Sequence, residues 1–154
     1  VTPEAVQVRR ATEADTDTIG GMYAALHGDQ WEHGGEPPRA EREPDWRSEV
    51  VASLAAEHII TLVAEAGGEI VGTARLEFGE RPYFRIADIR RVYVRPDWRR
   101  RGVAGALMRA AEDAARGGGA REARLSVVAE NEPALALYRR LGYRHFAIRL
   151  AKRI

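Results

Sequence analysis

The stretch from Val92 to Leu107, Val-Tyr-Val-Arg-Pro-Asp-Trp-Arg-Arg-Arg-Gly-Val-Ala-Gly-Ala-Leu, constrains this chain more than any other. Val92, Tyr93 and Val94 read as the end of a strand that Pro96 stops, and Gly102, Ala104 and Gly105 open a helix whose first turn is nearly bare of side chains. The first N–H groups of a helix lack intrahelical partners and carry roughly half a unit of positive charge. A bare N-terminus beside Arg99, Arg100 and Arg101 therefore suits a phosphate or pyrophosphate. An ordinary strand-turn-helix with a solvated basic corner is the alternative that the turn alone leaves open.

The rest of the chain alternates around this unit. Val6, Val8 and Arg10 begin a strand, and Thr12 with Asp15 forms a capping box ahead of Ile19, Met22, Tyr23 and Leu26 at helical spacing. From His27 to Asp45 glycine, proline and acidic residues predict a long loop, and Asp45 caps a second helix ending near His58. Ile59–Glu65 and Glu69–Phe78 are β-rich runs joined by Gly67-Gly68, a hairpin signal, and Ile86–Val94 is the next strand. Val103–Arg116 carries Val103, Leu107, Ala111 and Ala114 on one face and ends at Gly117-Gly118-Gly119. A strand is expected over Leu125–Ala129, then a helix capped by Asn131 and closed by Gly142, then a strand over Tyr143–Leu150. Strands bracketing a helix form a parallel βαβ crossover, so the expected fold is α/β, or α+β. Its sheet is mixed and mostly antiparallel around a central crossover, with helices on both faces.

The 154 residues suit a single domain over 1–154, and 45% hydrophobic against 31% charged residues is ordinary for a globular protein. A net charge of +1 gives no reason to bind nucleic acid, and the run Arg95, Arg99, Arg100, Arg101 has only Trp98 as a stacking aromatic. Without cysteine there is no disulfide, thiolate metal site or cysteine nucleophile, and His27, His33, His58 and His145 lack metal-ligand spacing. No apolar run approaches the ~20 residues of a membrane span and Val1-Thr2-Pro3-Glu4 does not read as a signal peptide, so the expected location is cytoplasmic. Lys152 is the only lysine, a bias that fits a GC-rich genome. Neither G-x-x-x-x-G-K-[ST] nor G-x-G-x-x-G is present, which argues against nucleotide hydrolysis and dinucleotide binding.

Arg99-x-x-Gly102-x-Ala104, after a strand ending Val92-Tyr93-Val94, resembles motif A of the GNAT superfamily of N-acetyltransferases, [QR]-x-x-G-x-[GA]. Asn131-Glu132-Pro133-Ala134-Leu135-Ala136-Leu137-Tyr138-Arg139-Arg140-Leu141-Gly142-Tyr143 resembles its motif B, and the element order agrees over essentially the whole chain. The resemblance implies that acetyl-CoA is the cosubstrate, its pyrophosphate on N–H groups from Arg100 through Arg101, Gly102, Val103 and Ala104 to Gly105. It also implies that the strands part at a bulge, where the pantetheine arm pairs with backbone at Val92, Tyr93 and Val94. In that likeness Asn131 contacts the pantetheine, and Tyr138 lies near the sulfur as general acid.

Asp88 matches an acidic position found in a subset of the superfamily and is the candidate base, working through water. An unperturbed aspartate, near pKa ~3.9, is a poor base, so the role needs burial. Pairing of Asp88 with Arg90 or Arg91 on the sheet is the alternative, and Glu130 is a weaker candidate. Trp31 and Trp46, near Asp29, Glu32 and Glu36, line an acceptor pocket for a cationic amine, or else are a loop and a core tryptophan. The expected acceptor is a small-molecule amine, with a protein N-terminus or lysine, or an idle acyl-CoA sensor, as alternatives. Only Tyr143–Ile154 follow Gly142, so one wall of the acceptor cleft is expected from a second subunit of a possible homodimer.

Overall fold

A computed structural model describes residues 5–32, 44–152 and 154. Strand β1 (Gln7–Arg10) leads through a 3-10 turn (Glu13–Asp15) into α1 (Thr16–Glu32), and α2 (Trp46–Ala55) precedes the antiparallel run β2 (Ile59–Ala66), β3 (Glu69–Glu80) and β4 (Arg85–Val94). A short 3-10 turn (Pro96–Trp98), α3 (Val103–Gly117), β5 (Ala120–Arg124) and α4 (Glu132–Arg140) follow. The five-stranded sheet has the order β1-β2-β3-β4-β5, antiparallel except for the parallel pair β4–β5 that α3 connects. Among the described residues no helix is long and apolar enough to cross a membrane.

Local chemistry accounts for the boundaries. The Thr12 N–H donates to the Asp15 carboxylate at 2.8 Å, the Ser48 N–H to Asp45 at 3.0 Å and the Ala134 N–H to the Asn131 carbonyl at 3.3 Å, so each cap reads as expected. Gly67 (φ 57°) and Gly68 (φ 79°) make the β2–β3 hairpin with both turn residues left-handed, the geometry that matches strand twist.

Four expectations need correcting. His27–Glu32 is helical as the end of α1, and only 33–43 of the expected loop lies outside the described residues. Helix α2 stops at Ala55, because the His58 carbonyl is already bonded to the Phe78 N–H as part of the sheet. The strand expected over Leu125–Ala129 lies instead over Ala120–Arg124, directly after the triple glycine, where Ala120 and Ala123 pack against the core beneath α3. Tyr143–Leu150 is not a strand: Tyr143 is tied to α3, whereas Phe146, Ile148 and Leu150 are exposed and make no ladder.

Side-chain alternation splits the sheet into two cores. Leu62, Ala64, Val71, Leu76, Ala87 and Ile89 meet Val103, Leu107, Met108 and Ala111 of α3 on one face, and Val63 meets Ile19, Tyr23 and Val50 of α1 and α2 on the other. Gly72 lets α3 settle onto this sheet. A Cβ there would lie 2.9 Å from the Tyr93 carbonyl oxygen, 3.0 Å from Leu107 Cδ1 and 3.3 Å from Val103 Cγ1. Gly72→Ala is therefore expected to cost ~2 kcal/mol by overpacking, seen as a lower midpoint in urea unfolding; an unchanged midpoint would show that α3 docks with slack.

Candidate active site

The site begins where two strands part. β5 pairs with β4 only up to Asp88↔Arg124, while β4 continues to Val94, so the edge of β4 from Ile89 onward has no neighbour in the sheet. A bulge lies just beyond. Thr73 pairs with Tyr93 and Arg75 with Arg90, which sets Arg91 and Val92 opposite Ala74 alone, and Arg91 takes up the extra residue at φ 55°. The insertion changes the phase of the strand: Ala87 and Ile89 face α3 before it, and Val92 and Val94 after it. Because the Arg95 N–H donates to the Val71 carbonyl, the backbone groups of Val92 and Val94 turn toward the open edge. The Val94 carbonyl is engaged there by Arg99 Nε at 3.0 Å.

The turn that follows brings a helix terminus to this edge. Arg100 (φ 59°) and Gly102 (φ 81°) are both left-handed, and the helical ladder of α3 starts with the Ala106 N–H on the Gly102 carbonyl. The N–H groups of Val103, Ala104 and Gly105 precede that first bond, and no side chain caps them. A Cβ at Gly102 would meet nothing within 4 Å among the described residues. Arg101 stacks on Trp98 at 4.9 Å, and Arg99 lies over Tyr93 while pairing with Asp29 of α1 at 2.8 Å. Arg99 thus fastens the turn to α1, whereas Arg100 and Arg101 make no ion pair among the described residues.

Tyr138 and Asp88 lie on opposite faces of the sheet. Tyr138, on α4, packs against the α3-side core with Leu125 and Leu141, its ring 6.0 Å from that of Tyr143, whose hydroxyl donates to Glu112 at 3.0 Å. Burial raises the Tyr138 phenol above its ordinary pKa, which keeps its proton on at neutral pH. Asn131 accepts the Ala134 N–H through its side-chain carbonyl, which commits that oxygen to the cap and leaves the NH2 as its donor. Asp88 alternates with Ala87 and Ile89 and so faces α1 and α2. Neither expected partner holds it, since Arg90 pairs with Glu77 at 3.4 Å and Arg91 with Glu49 at 2.9 Å. Trp31 and Glu32 fall in the last turn of α1, their side chains outside the described residues.

Sequence reasoning missed the polar cluster beneath the bulge. Glu49 Oε1 accepts from Arg75 at 2.9 Å and from both Nε (3.1 Å) and Nη2 (2.9 Å) of Arg91, and Arg91 lies over the Tyr23 and Trp46 rings at 5.3 and 5.2 Å. Trp46 is a packing residue as well, edge-on to Tyr23 and 5.5 Å from the His27 ring. Among the described residues the buried Tyr23 hydroxyl and Arg75 Nε have no hydrogen-bond partner, and burial lifts the Tyr23 phenol to about 12. The sequence signal was a lone arginine, Arg75, inside the apolar run Val71–Leu76.

An open strand edge, a bulge beside it and an uncapped helix N-terminus at its end single out this edge of the sheet. The chain belongs to the acetyltransferase (GNAT) family, whose model matches residues 22–143, and is an acetyl-CoA-dependent N-acetyltransferase. It is 32% identical to the N-alpha-acetyltransferase RimI of Mycobacterium tuberculosis over 95% of this chain and 83% of that one. A predicted acetyltransferase of Clostridium acetobutylicum, solved with acetyl-CoA, is similar at TM-score 0.74 and 19% identity, covering 97% of this chain and 96% of that one. An aminoglycoside acetyltransferase from an uncultured soil metagenomic sample is similar at TM-score 0.73 and 24% identity, covering 97% and 99%.

Glu49 is the hub of the face below the bulge, and its loss leaves Arg75, whose side chain is 10% exposed, short of a partner. Glu49→Ala is expected to destabilise the protein by ~3 kcal/mol in chemical unfolding. A loss below ~1 kcal/mol would show that the arginines re-pair without it.

Proposed function

We propose that the chain acetylates a primary amine by direct transfer within one ternary complex. The observation that carries this reading is the parting of β4 from β5 after Asp88 and Arg124, with a left-handed bulge and a bare helix terminus at the same edge. The outward backbone groups of Val92 and Val94, with Tyr93 between them, orient the pantetheine arm as though it were another strand. The N–H groups from Arg100 to Gly105 bind the pyrophosphate, Arg101 lends charge, and the Asn131 NH2 donates to the pantetheine.

When bound, acetyl-CoA supplies a thioester carbonyl and a thiolate leaving group. Asp88, unpaired among the described residues, receives the acceptor's ammonium proton through water and passes it on to solvent, so that the nitrogen lone pair can attack the carbonyl carbon. As the C–S bond breaks Tyr138 gives its proton to the departing sulfur, and the second nitrogen proton, lost as the amide forms, returns through water to the phenolate, which leaves the amide, the free thiol, one proton released to solvent and the enzyme as it began. From an ordinary phenol near ~10 to a thiolate near ~8.5 that step is uphill by about 2 kcal/mol, and burial adds to it, an amount accommodated within a catalysed barrier. Trp31 and Glu32, on the last turn of α1, stand on the acceptor side.

For the acceptor, the likeness to an N-alpha-acetyltransferase over nearly the whole chain favours the α-amine of a peptide N-terminus over the small-molecule amine expected from sequence. Likeness to the aminoglycoside enzyme is at the level of the fold and does not weigh on the acceptor. Thiol release from acetyl-CoA across N-terminal peptides, polyamines, aminoglycosides and amino acids separates the two. Turnover confined to peptides is expected, and turnover confined to small amines reverses the choice.

Two substitutions test the machinery. Gly102→Glu sets bulk and negative charge at the helix terminus and is expected to weaken acetyl-CoA binding at least ~100-fold in calorimetry; unaltered affinity moves the pyrophosphate elsewhere. Tyr138→Phe is expected to lower kcat roughly 10- to 1,000-fold with similar acetyl-CoA affinity, and an unchanged kcat returns Tyr138 to a packing role.

A further inference from the structure

We propose that Glu77 and Glu122 are positioning residues that hold neighbouring arginines off Asp88, leaving its carboxylate unpaired where the acceptor amine arrives. The inference rests on the reading of Asp88 given above.

The sheet surrounds Asp88 with charge. Its direct partner on β3 is Glu77, its direct partner on β5 is Arg124, and Arg90 follows it on the same face of β4, opposite Arg75. A sheet arranged for stability alone would pair Asp88 with Arg124 across the ladder or with Arg90 along it, and would avoid facing Asp88 with Glu77. Neither pairing forms. Arg124 turns back along its own strand, Nε and Nη2 both on Glu122 Oε2 at 3.0 and 2.9 Å, and lies 4.4 Å from the Phe146 ring. Arg90 reaches across to Glu77 at 3.4 Å, where it joins the buried Arg75 on the same carboxylate at 3.2 Å.

Each glutamate therefore occupies one arginine that could otherwise neutralise Asp88. Of the two, Arg90 is the readier to move, since its side chain is 59% exposed against 24% for Arg124. Glu77 is also the like charge that Asp88 faces, and it can stand there because Arg75 and Arg90 balance it. The outcome is a carboxylate flanked by two guanidiniums and bonded to neither, open to a cationic acceptor.

Steady-state kinetics of the intact enzyme tests this with a set of conservative variants. Glu77→Gln keeps an acceptor for Arg75 but releases Arg90 toward Asp88, and is expected to lower kcat about 10-fold while the KM for acetyl-CoA stays the same. Adding Arg90→Gln removes the competing cation and is expected to return kcat to within about 2-fold of the parent, whereas Arg90→Gln alone leaves it unchanged. Glu122→Gln, alone and with Arg124→Gln, is expected to behave in the same way. A loss that persists in a double variant overturns the assignment of that glutamate, since a merely structural defect is not repaired by removing a second charge. Asp88→Asn separates the role of Asp88 from that of the two glutamates. Full turnover in that variant removes the role of Asp88 and this proposal with it. Slow Asp88→Asn beside fully active Glu77→Gln and Glu122→Gln retains Asp88 and overturns the proposal alone.

Discussion

Everything at the site follows from a strand that outlasts its neighbour. β4 and β5 run in parallel only as far as Asp88 and Arg124, and beyond that point β4 presents backbone groups to no partner in the sheet. Unpaired strand edges are normally hidden or blunted, because they recruit whatever extended chain is near. Here the bulge at Arg91 bends the strand and re-phases it, so that its apolar side chains stay on the α3 core while the backbone groups of Val92 and Val94 face outward. The α3 terminus falls at the end of that edge because only a short 3-10 turn and a left-handed loop separate them. A single register change thus sets the phase of the core, the open edge and the approach to a helix dipole.

The opposite face obeys a different rule. Arg75 and Arg91 are largely covered there, and a guanidinium taken out of water needs a carboxylate beside it. Glu49 and Glu77 divide Arg75, Arg90 and Arg91 between them, and this ladder ties α2 to both central strands at the level of the bulge. Arg91 belongs to both systems. Its backbone makes the bulge, and its side chain, clamped by Glu49 and lying over Tyr23 and Trp46, links that distortion to α1 and α2.

Local signals told most about the elements and least about how they meet. Thr12 with Asp15, Asp45, Gly67-Gly68 and Asn131 each do what their residue types dictate, because caps and tight turns are settled within a few residues. The bare turn at Gly102 was equally readable, since a left-handed position and an uncovered helix start leave their mark in composition. Strand limits near the gap were not. Leu125, Val127 and Ala129 alternate like a strand, yet the sheet stops at Arg124, and the pattern of Tyr143–Leu150 likewise finds no ladder. Alternation reports which side chains lie together and says nothing of whether a neighbouring backbone is within reach. The ion pairs of Asp88's neighbours were out of reach for a similar reason: Arg90 and Arg91 are adjacent in sequence, and only the bulge sends one to Glu77 and the other to Glu49.

The ion pairs described here share one cation type, with arginine on the positive side of every bridge from Arg9–Asp15 to Arg124–Glu122. In an enzyme that handles an activated acetyl thioester, that choice has a chemical consequence. A lysine amine that loses its proton is itself an acyl acceptor, and once acylated it forfeits its charge, whereas a guanidinium stays protonated and non-nucleophilic. With Lys152 as the sole lysine side chain, the scaffold's electrostatics are inert toward the reagent that the protein binds. The fold can stand in continuous contact with its own acyl donor without eroding the charges that shape its active site.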